Sequence, residues 1–217
     1  MVSCYKLIAN KVQNNSISSN ETVEEAQIIG ADCTTKKIEE SEYYNCVFRN
    51  CHFNDATLKK CSFDTCTFEH CNFNMCKLTD TTIKSCKFLS STLVGVDFTK
   101  TKVNLVFQVV FRNCNLGFSL FSTLKMIGST FVACNMEEVD FAEAKLDESI
   151  FHFSDLSRAI FNHTDLRKTD FRGAHNYTID PRNNFLKDAV FSEPAVMSLL
   201  DSLGIKIAEP PEQDTEN

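Results

Sequence analysis

The sequence predicts an all-β solenoid built from four-sided coils and closed at its C-terminal end by an α-helix. Three observations carry that prediction. A large apolar residue returns at every fifth position, a small residue stands two positions before it, and in one half of the chain the large residues alternate strictly between Phe and Leu or Met. A period of five matches neither the 3.6 of a helix nor the 2 of a plain strand, and self-similarity at a fixed period marks a stacked repeat.

The large residues fall in two runs. The first is Phe48, Phe53, Leu58, Phe63, Phe68, Phe73, Leu78, Ile83, Phe88, Leu93, Phe98, Val103, with Val23, Ile28, Cys33, Ile38 and Tyr43 leading into it. After a slip of three residues the second runs from Val106 and Phe111 to Leu166 and Phe171. The small position holds Cys46, Cys51, Ala56, Cys61, Cys66, Cys71, Cys76, Thr81, Cys86 and Ser91, then residues such as Cys114, Ser119, Ser129, Cys134 and Ala144. Residues two apart on an extended chain point the same way, so each unit turns one large and one small side chain inward. The three positions between are mostly polar and face water. Phe at 111, 121, 131, 141, 151, 161 and 171 alternates with Leu or Met, which requires an even number of sides. With four sides each coil takes four units, so Phe stacks on Phe on two opposite sides and Leu or Met on Leu on the other two. About eight coils spaced ~4.8 Å apart make a rod of roughly 35–40 Å.

The slip, Val103-Asn104-Leu105-Val106-Phe107-Gln108-Val109-Val110-Phe111, must bulge from one side or distort one coil. It is expected to push Leu105 or Phe107 outward. Phe118 and Phe153 are off register, two residues past a centre, and are also expected outside. Residues 1–20 show no repeat and form an N-terminal segment able to shield the first coil, since an open solenoid end exposes unpaired strand edges. At the other end Ser192 suits a helix N-cap, Glu193 and Pro194 its first turn, and Gly204 its stop. Val196, Leu199, Leu200 and Leu203 form an apolar stripe at i, i+3, i+4 and i+7. The stripe must be buried on the last coil or on another subunit, and a flat solenoid end suits a two-fold contact, so a homodimer through these four residues is expected. Ile205-Lys206-Ile207 alternates like a short strand, and the acidic segment 208–217 reads as disordered. The chain thus divides into residues 1–20, an array over 21–175 with a slip near 104–110, a cap and dimerisation helix over 176–207, and a tail over 208–217.

Composition bounds function. The 217 residues contain 6 Gly, 4 Pro and no Trp, as a regular array with few irregular turns would. No apolar run approaches a membrane span of ~20 residues. Residues 1–20 lack the basic start and apolar core of a secretory signal, so a cytoplasmic location is expected. Cysteines at Cys61, Cys66, Cys71 and Cys76 invite a metal or disulfide framework, but zinc pairs sit two to four residues apart, and these occupy a slot shared with Ala, Ser and Thr. They read as buried small side chains, reduced in a cytosolic setting. Cys4 lies outside the array. His52, His70, His152, His163 and His175 all map to outward positions on different coils. With no phosphate loop, no metal spacing and no catalytic triad pattern, neither an enzyme nor a cofactor is expected.

Net charge is −7. Residues 46–112 carry 9 Lys/Arg against 5 Asp/Glu, whereas residues 113–156 carry 2 against 7. Glu137, Glu138, Asp140, Glu143, Asp147 and Glu148 span adjacent sides of one coil as a partial acidic belt, a candidate surface for a basic partner groove. The acidic balance argues against direct binding of nucleic acid.

On these centres the chain resembles the pentapeptide-repeat proteins over roughly residues 21–175. The resemblance implies a right-handed quadrilateral β-helix. The segment Ser198-Leu199-Leu200-Asp201-Ser202-Leu203-Gly204-Ile205, with Asn176-Tyr177 and Asp180-Pro181 before it, is similar to the end of Qnr-type quinolone-resistance proteins and their relatives. That second resemblance implies a C-terminal helix joining two rods end to end, and a long dimer that imitates duplex DNA and binds the DNA-gripping surface of gyrase or topoisomerase IV. Qnr proteins carry projecting loops; here only the slip interrupts the coils, so no loop residue is transferred. Two functions stay open: a DNA-mimicking binder of a type II topoisomerase that protects it from quinolones or a related toxin, and a non-enzymatic scaffolding module for another protein partner.

Overall fold

A five-residue unit with two inward side chains can satisfy its backbone only by stacking coil on coil, and the chain does this. In the computed structural model, which describes residues 12–13, 16–102, 108–205 and 208, every strand pairing is parallel and joins the same position of successive coils. Val47–Arg49 pairs with Thr67–Glu69, Phe48 directly beside Phe68. The result is a right-handed quadrilateral β-helix with a C-terminal helix, in the handedness that parallel crossovers adopt.

Its four faces follow one another along the chain. Face 1 is a seven-stranded sheet running from Val12–Gln13 through Gln27–Ile29 and Val47–Arg49 to Thr130–Val132. Face 2 has no strand; it is a file of single bridges, Asp32 to His52 to Asn72 to Thr92 to Asn115 and onward to His175. Face 3 is the three-stranded sheet of Lys37–Glu39, Thr57–Lys59 and Lys77–Thr79. Face 4 is the four-stranded sheet of Thr22–Glu24, Glu42–Tyr44, Ser62–Asp64 and Thr82–Lys84. Lys125, Lys145, Asp165 and Phe185 continue face 4 as single bridges.

The interior is filled as the alternation requires. On face 1 Phe111, Phe131, Phe151, Phe171 and Phe191 stack at 5.4, 4.8, 5.0 and 4.9 Å between ring centroids. On face 3 Phe98, Phe121, Phe141 and Phe161 stack at 4.5, 5.4 and 5.4 Å. The two opposite Phe columns meet edge to face across the interior, as Phe131 and Phe141 do at 5.7 Å, the arrangement ring quadrupoles prefer. Leu116, Met126, Met136, Leu146, Leu156 and Leu166 fill the other two sides and are fully buried.

The small inward side chains tie coils together as well as saving space. Thr164 Oγ1 donates to the Phe141 carbonyl at 2.9 Å, Thr169 Oγ1 to Leu146 at 2.9 Å, and the Cys71 thiol to Phe48 at 3.5 Å. Each bond reaches an apolar centre of the coil before. A second regularity lies at the corners. The residue two past each centre has a left-handed backbone from Asn45 (φ 51) to Gly95 (φ 70) and again from Asn113 (φ 52) to Lys168 (φ 57). This is the residue that turns the chain from one face to the next.

The slip changes the offset between coils from 20 to 23. Phe88 pairs with Phe111, Thr92 with Asn115 and Asp97 with Leu120. The change of offset therefore arises between Lys102 and Gln108. The expected outward positions of Leu105 and Phe107 lie outside the described residues, as do Cys4, the Lys206-Ile207 part of the expected short strand, and the tail from Glu209. In-register bridges continue past residue 175, to Phe185 and Val190.

The C-terminal helix spans Ala195–Leu203, but as a 3₁₀ helix rather than the expected α-helix. Its bonds run from Met197 N–H to Pro194 and from Gly204 N–H to Asp201, three residues back. The expected cap differs too. The Ser192 hydroxyl accepts the Gly173 N–H at 2.9 Å, so it ties the helix entry to the last coils and leaves the helix without a side-chain cap. Gly204 ends the helix at φ 68, as its position predicts.

Candidate functional site

Because the coils are filled, anything this chain binds must meet its exterior. Three exterior features were singled out by the sequence: the acidic belt, the apolar helix at the C-terminal end, and the off-register aromatics.

The belt is present on one coil, and half of its six carboxylates are ion-paired. The Arg158 guanidinium bonds Glu138 at 2.8 Å and also contacts Glu137. Lys168 Nζ lies 2.9 Å from Glu148 and holds its carboxyl below the usual range. Asp140 turns its carboxylate onto the Ala142 N–H at 2.8 Å. Asp147 feels the Arg167 and Lys168 charges from the next coil. Glu143 makes no ion pair or side-chain hydrogen bond among the described residues. The sequence held the signal for this: Glu138 and Arg158 stand at i and i+20, as do Glu148 and Lys168. The same separation joins Glu40 to Lys60 at 3.1 Å, Asp64 to Lys84 at 2.7 Å and Arg49 to Glu69 at 2.6 Å. One coil has that length, so a charge pairs with its image one turn on.

The helix stripe covers the last coil only in part. Ala195 and Leu199 pack on the core together with Leu186 and Phe191. Val196, Leu199 and Leu200 are half-buried, whereas Leu203 keeps 43% of its surface exposed. In the same C-terminal stretch Phe185 (60%), Val190, Met197 and Ile205 are also exposed. The end of the rod is therefore apolar and uncovered in a single chain.

Phe118 and Phe153 point outward, as the register predicts, at 50% and 68% exposure. Both occupy left-handed corners. Phe153 lies against Gly173 one coil on; a Cβ there would come within 2.5 Å of the ring. Glycine at that corner is a seat for the neighbouring aromatic.

The remaining titratable groups point to structure. The ten described cysteines are buried and unpaired. Burial pushes the Cys33 thiol up to about 11, whereas a hydrogen bond with the Cys71 thiol draws Cys51 down to about 7 and one with Cys134 lowers Cys114. No group of three or more His, Cys, Asp or Glu among the described residues could hold a metal ion. His52, His70, His163 and His175 are exposed on separate coils; His152 is half-buried, with Nε2 2.9 Å from Asp170 Oδ2. Arg172 bonds the same carboxylate and holds it far below the usual range. Among the described residues no helix is long and apolar enough to cross a membrane.

Known proteins place this geometry. Family models described as pentapeptide repeats match residues 43–82 (9 copies) and 134–173 (8 copies). No curated protein sequence matches with significance. Among solved structures, a trypsin-treated form of QnrB1, described as a plasmid-mediated fluoroquinolone resistance protein, is 14% identical with a TM-score of 0.65, covering 90% of this chain and 94% of its own. HetL, a pentapeptide repeat protein involved in heterocyst differentiation regulation from the cyanobacterium Nostoc sp. strain PCC 7120, is 15% identical with a TM-score of 0.50, covering 82% and 86%. At these identities the likeness is one of fold.

Proposed function

We propose that this chain, which belongs to the pentapeptide-repeat family, is a binding rod that occupies the DNA-gripping surface of a type II topoisomerase such as gyrase or topoisomerase IV, and so protects it from quinolones or a related toxin. One observation carries the reading: the filled rod matches a protein described as a fluoroquinolone resistance protein over nearly the whole length of both chains. The apolar end formed by Val196, Leu199, Leu200 and Leu203 supports a second element, two rods joined end to end. A cytoplasmic home goes with that partner. Binding by shape and charge weakens as salt rises.

A supercoiling assay with gyrase, with and without ciprofloxacin, tests the first element. Supercoiling is expected to be rescued in the presence of the drug at micromolar protein. No effect on either reaction removes the reading for that enzyme. Leu199→Asp with Leu203→Asp tests the second: the double variant should sediment as a monomer with its array intact, and a mass equal to that of the parent chain contradicts the dimer.

A scaffolding role towards a different protein is the second reading. It is favoured by the belt itself. Arg158 and Lys168 pair with Glu137, Glu138 and Glu148, whereas imitation of duplex DNA needs unpaired acid running lengthwise.

A further inference from the structure

Most of the described cysteines stand one above another inside the rod. Cys46, Cys66 and Cys86 fill the small slot of face 1 on three successive coils, Cys51 and Cys71 that of face 2 on two, and Cys114 and Cys134 that of face 2 beyond the slip. Each column repeats one contact. The Sγ atoms of Cys46, Cys66 and Cys86 donate to the carbonyls of Val23, Tyr43 and Phe63, at 3.4 Å in every case. Beside them the coils are clamped in register, Thr67 N–H on the Cys46 carbonyl and Lys87 N–H on that of Cys66, both at 2.9 Å. Equivalent sulfurs therefore recur at the strand spacing, ~4.8 Å. The other cysteines differ. Cys61 has Ser41 and Thr81 above and below it, Cys76 has Ala56 and Val96, and Cys33 fills a centre in the column of Phe53.

That spacing decides what two stacked thiols can hold. A disulfide needs Cβ atoms ~3.8 Å apart, closer than coils in register bring them. A thiolate–metal–thiolate unit fits, because two metal–sulfur bonds of ~2.3 Å in line span most of one coil spacing. Among the described residues no three His, Cys, Asp or Glu form a group that could hold a metal ion, so zinc finds no four-ligand shell here. Two thiolates in line instead suit a soft monovalent ion such as Cu(I) or Ag(I), for which thiolate is the preferred ligand. Backbone N–H groups also face the slot from the coil before. Cys71 N–H bonds Ser91 Oγ at 3.0 Å and Cys134 N–H bonds Ser154 Oγ at 3.1 Å. The Cys46 and Cys51 N–H groups stand likewise against the Cys66 and Cys71 thiols. An N–H aimed at a buried sulfur favours its anion.

We propose that the stacked thiols bind soft monovalent metal ions, one ion between neighbouring coils of each column. Binding breaks two S–H bonds and forms two metal–sulfur bonds, and both protons pass to solvent. The ion then joins one coil to the next. Because the sulfurs are buried, it enters when a coil opens locally. The site rests on the fold alone and stands or falls without the topoisomerase reading.

The test is native mass spectrometry of the full chain carrying Cys4→Ser, which removes the cysteine outside the array. The chain is incubated with silver nitrate in chloride-free buffer to constant mass, then challenged with excess glutathione. One silver ion per column is expected to remain, with two protons released for each and a raised melting temperature. Cys66→Ser leaves Cys46 and Cys86 two spacings apart, ~10 Å, and should lose one ion. Cys134→Ser should also lose one. Cys46→Ser keeps Cys66 beside Cys86 and should lose none, and neither should Cys61→Ser or Cys76→Ser. Serine already fills the slot at Ser91, Ser129 and Ser149; should Cys66→Ser still unfold the chain, Cys134→Ser decides. The proposal is overturned if no silver survives glutathione, or if every cysteine replaced costs the same wherever it stands. It is equally overturned if silver is held only as the β-sheet circular dichroism is lost, or if the stacked pairs are recovered as disulfides.

Discussion

The two halves of the array solve one problem with different local chemistry. From Thr22 to Leu89, before the slip, faces 1, 3 and 4 are extended three-residue strands and only face 2 turns; the last coil before the slip already turns on face 3, at Phe98–Lys100. After it, almost every face is a hydrogen-bonded turn: Ser119 N–H donates to Leu116, Ala144 to Phe141, Ser149 to Leu146 and Ala159 to Leu156. Such a bond from i+3 back to i, with a left-handed residue at i+2, has the form of a type II turn. The difference lies in the residue just before each centre. In the strands it is Thr22, Gln27, Lys37, Glu42, Val47, Thr57, Ser62, Thr67, Lys77, Thr82 or Lys87. In the turns it is often Asp or Asn, whose side chain accepts the N–H two residues on, as Asn115 does from Gly117 at 3.1 Å and Asp155 from Ser157 at 3.0 Å. Face 2 of the first half follows the same rule, with Asp32 and Asn72 making the same bond to Thr34 and Asn74. An Asx side chain offers the backbone a local partner and so favours the turn over the strand.

The halves differ inside as well. Thiols dominate the small slot before the slip and reach the previous coil at 3.4–3.5 Å, as Cys46, Cys61 and Cys71 do. Hydroxyls dominate after it and bond at 2.7–3.0 Å, as Ser119, Ser149 and Thr169 do. A thiol is the weaker donor. The Phe stacks do not differ: Phe48 to Phe68 is 4.8 Å and Phe131 to Phe151 is 4.8 Å.

The largest expected effect is therefore the same in both halves. Phe68→Ala and Phe131→Ala should each cost about 3–5 kcal/mol in urea unfolding; a loss confined to one half breaks the idea of a common core. Next comes the small slot. Ser154→Ala strands the Phe131 carbonyl and the Cys134 N–H together and should cost about 1–3 kcal/mol. Cys51→Ser places a hydroxyl in the column that already holds Ser91 and should cost under ~1 kcal/mol in the same assay. If both cost alike, the chemical distinction between the halves is lost. Third, Asp140→Ala should cost about 0.5–1.5 kcal/mol by removing the bond to Ala142, and Thr67→Ala on a strand face only a fraction of that.

The smallest effect appears in acid. Arg167, Arg172 and Arg182 hold Asp165, Asp170 and Asp180 below their ordinary values. At Asp155 burial pushes upward, but Ser157 and Asn176 outweigh it and the group is lowered too. A depressed carboxylate contributes stability above its unfolded pKa of about 3.9 and loses it as pH falls through the folded value. Amide exchange near pH 3 should thus rise first after the slip. Equal loss of protection before it, where Asp32, Glu39 and Asp64 are the shifted acids, sinks that expectation.

Much of this was readable from residues. The centres, the four sides, the two Phe columns and the outward Phe118 and Phe153 follow from period alone, because a side chain in a five-residue register has only one inward direction. The acidic belt was readable as positions but not as a surface, since Arg158 and Lys168 lie a full coil away and pair with half of it through space. The choice of strand or turn was legible in principle from Asp32, Asn72, Asn115 and Asp155, one residue before their centres.

The repeating order of large and small side chains settled by itself that this chain stacks into a filled square rod, because local periodicity alone dictates which groups leave water. Stacking decided what that order could not: which charges cancel, which remain bare, and that the closing helix is wound as 3₁₀ with Ser192 tied to Gly173. Those outcomes depend on distances between coils, and a linear chain does not contain them until it has closed on itself.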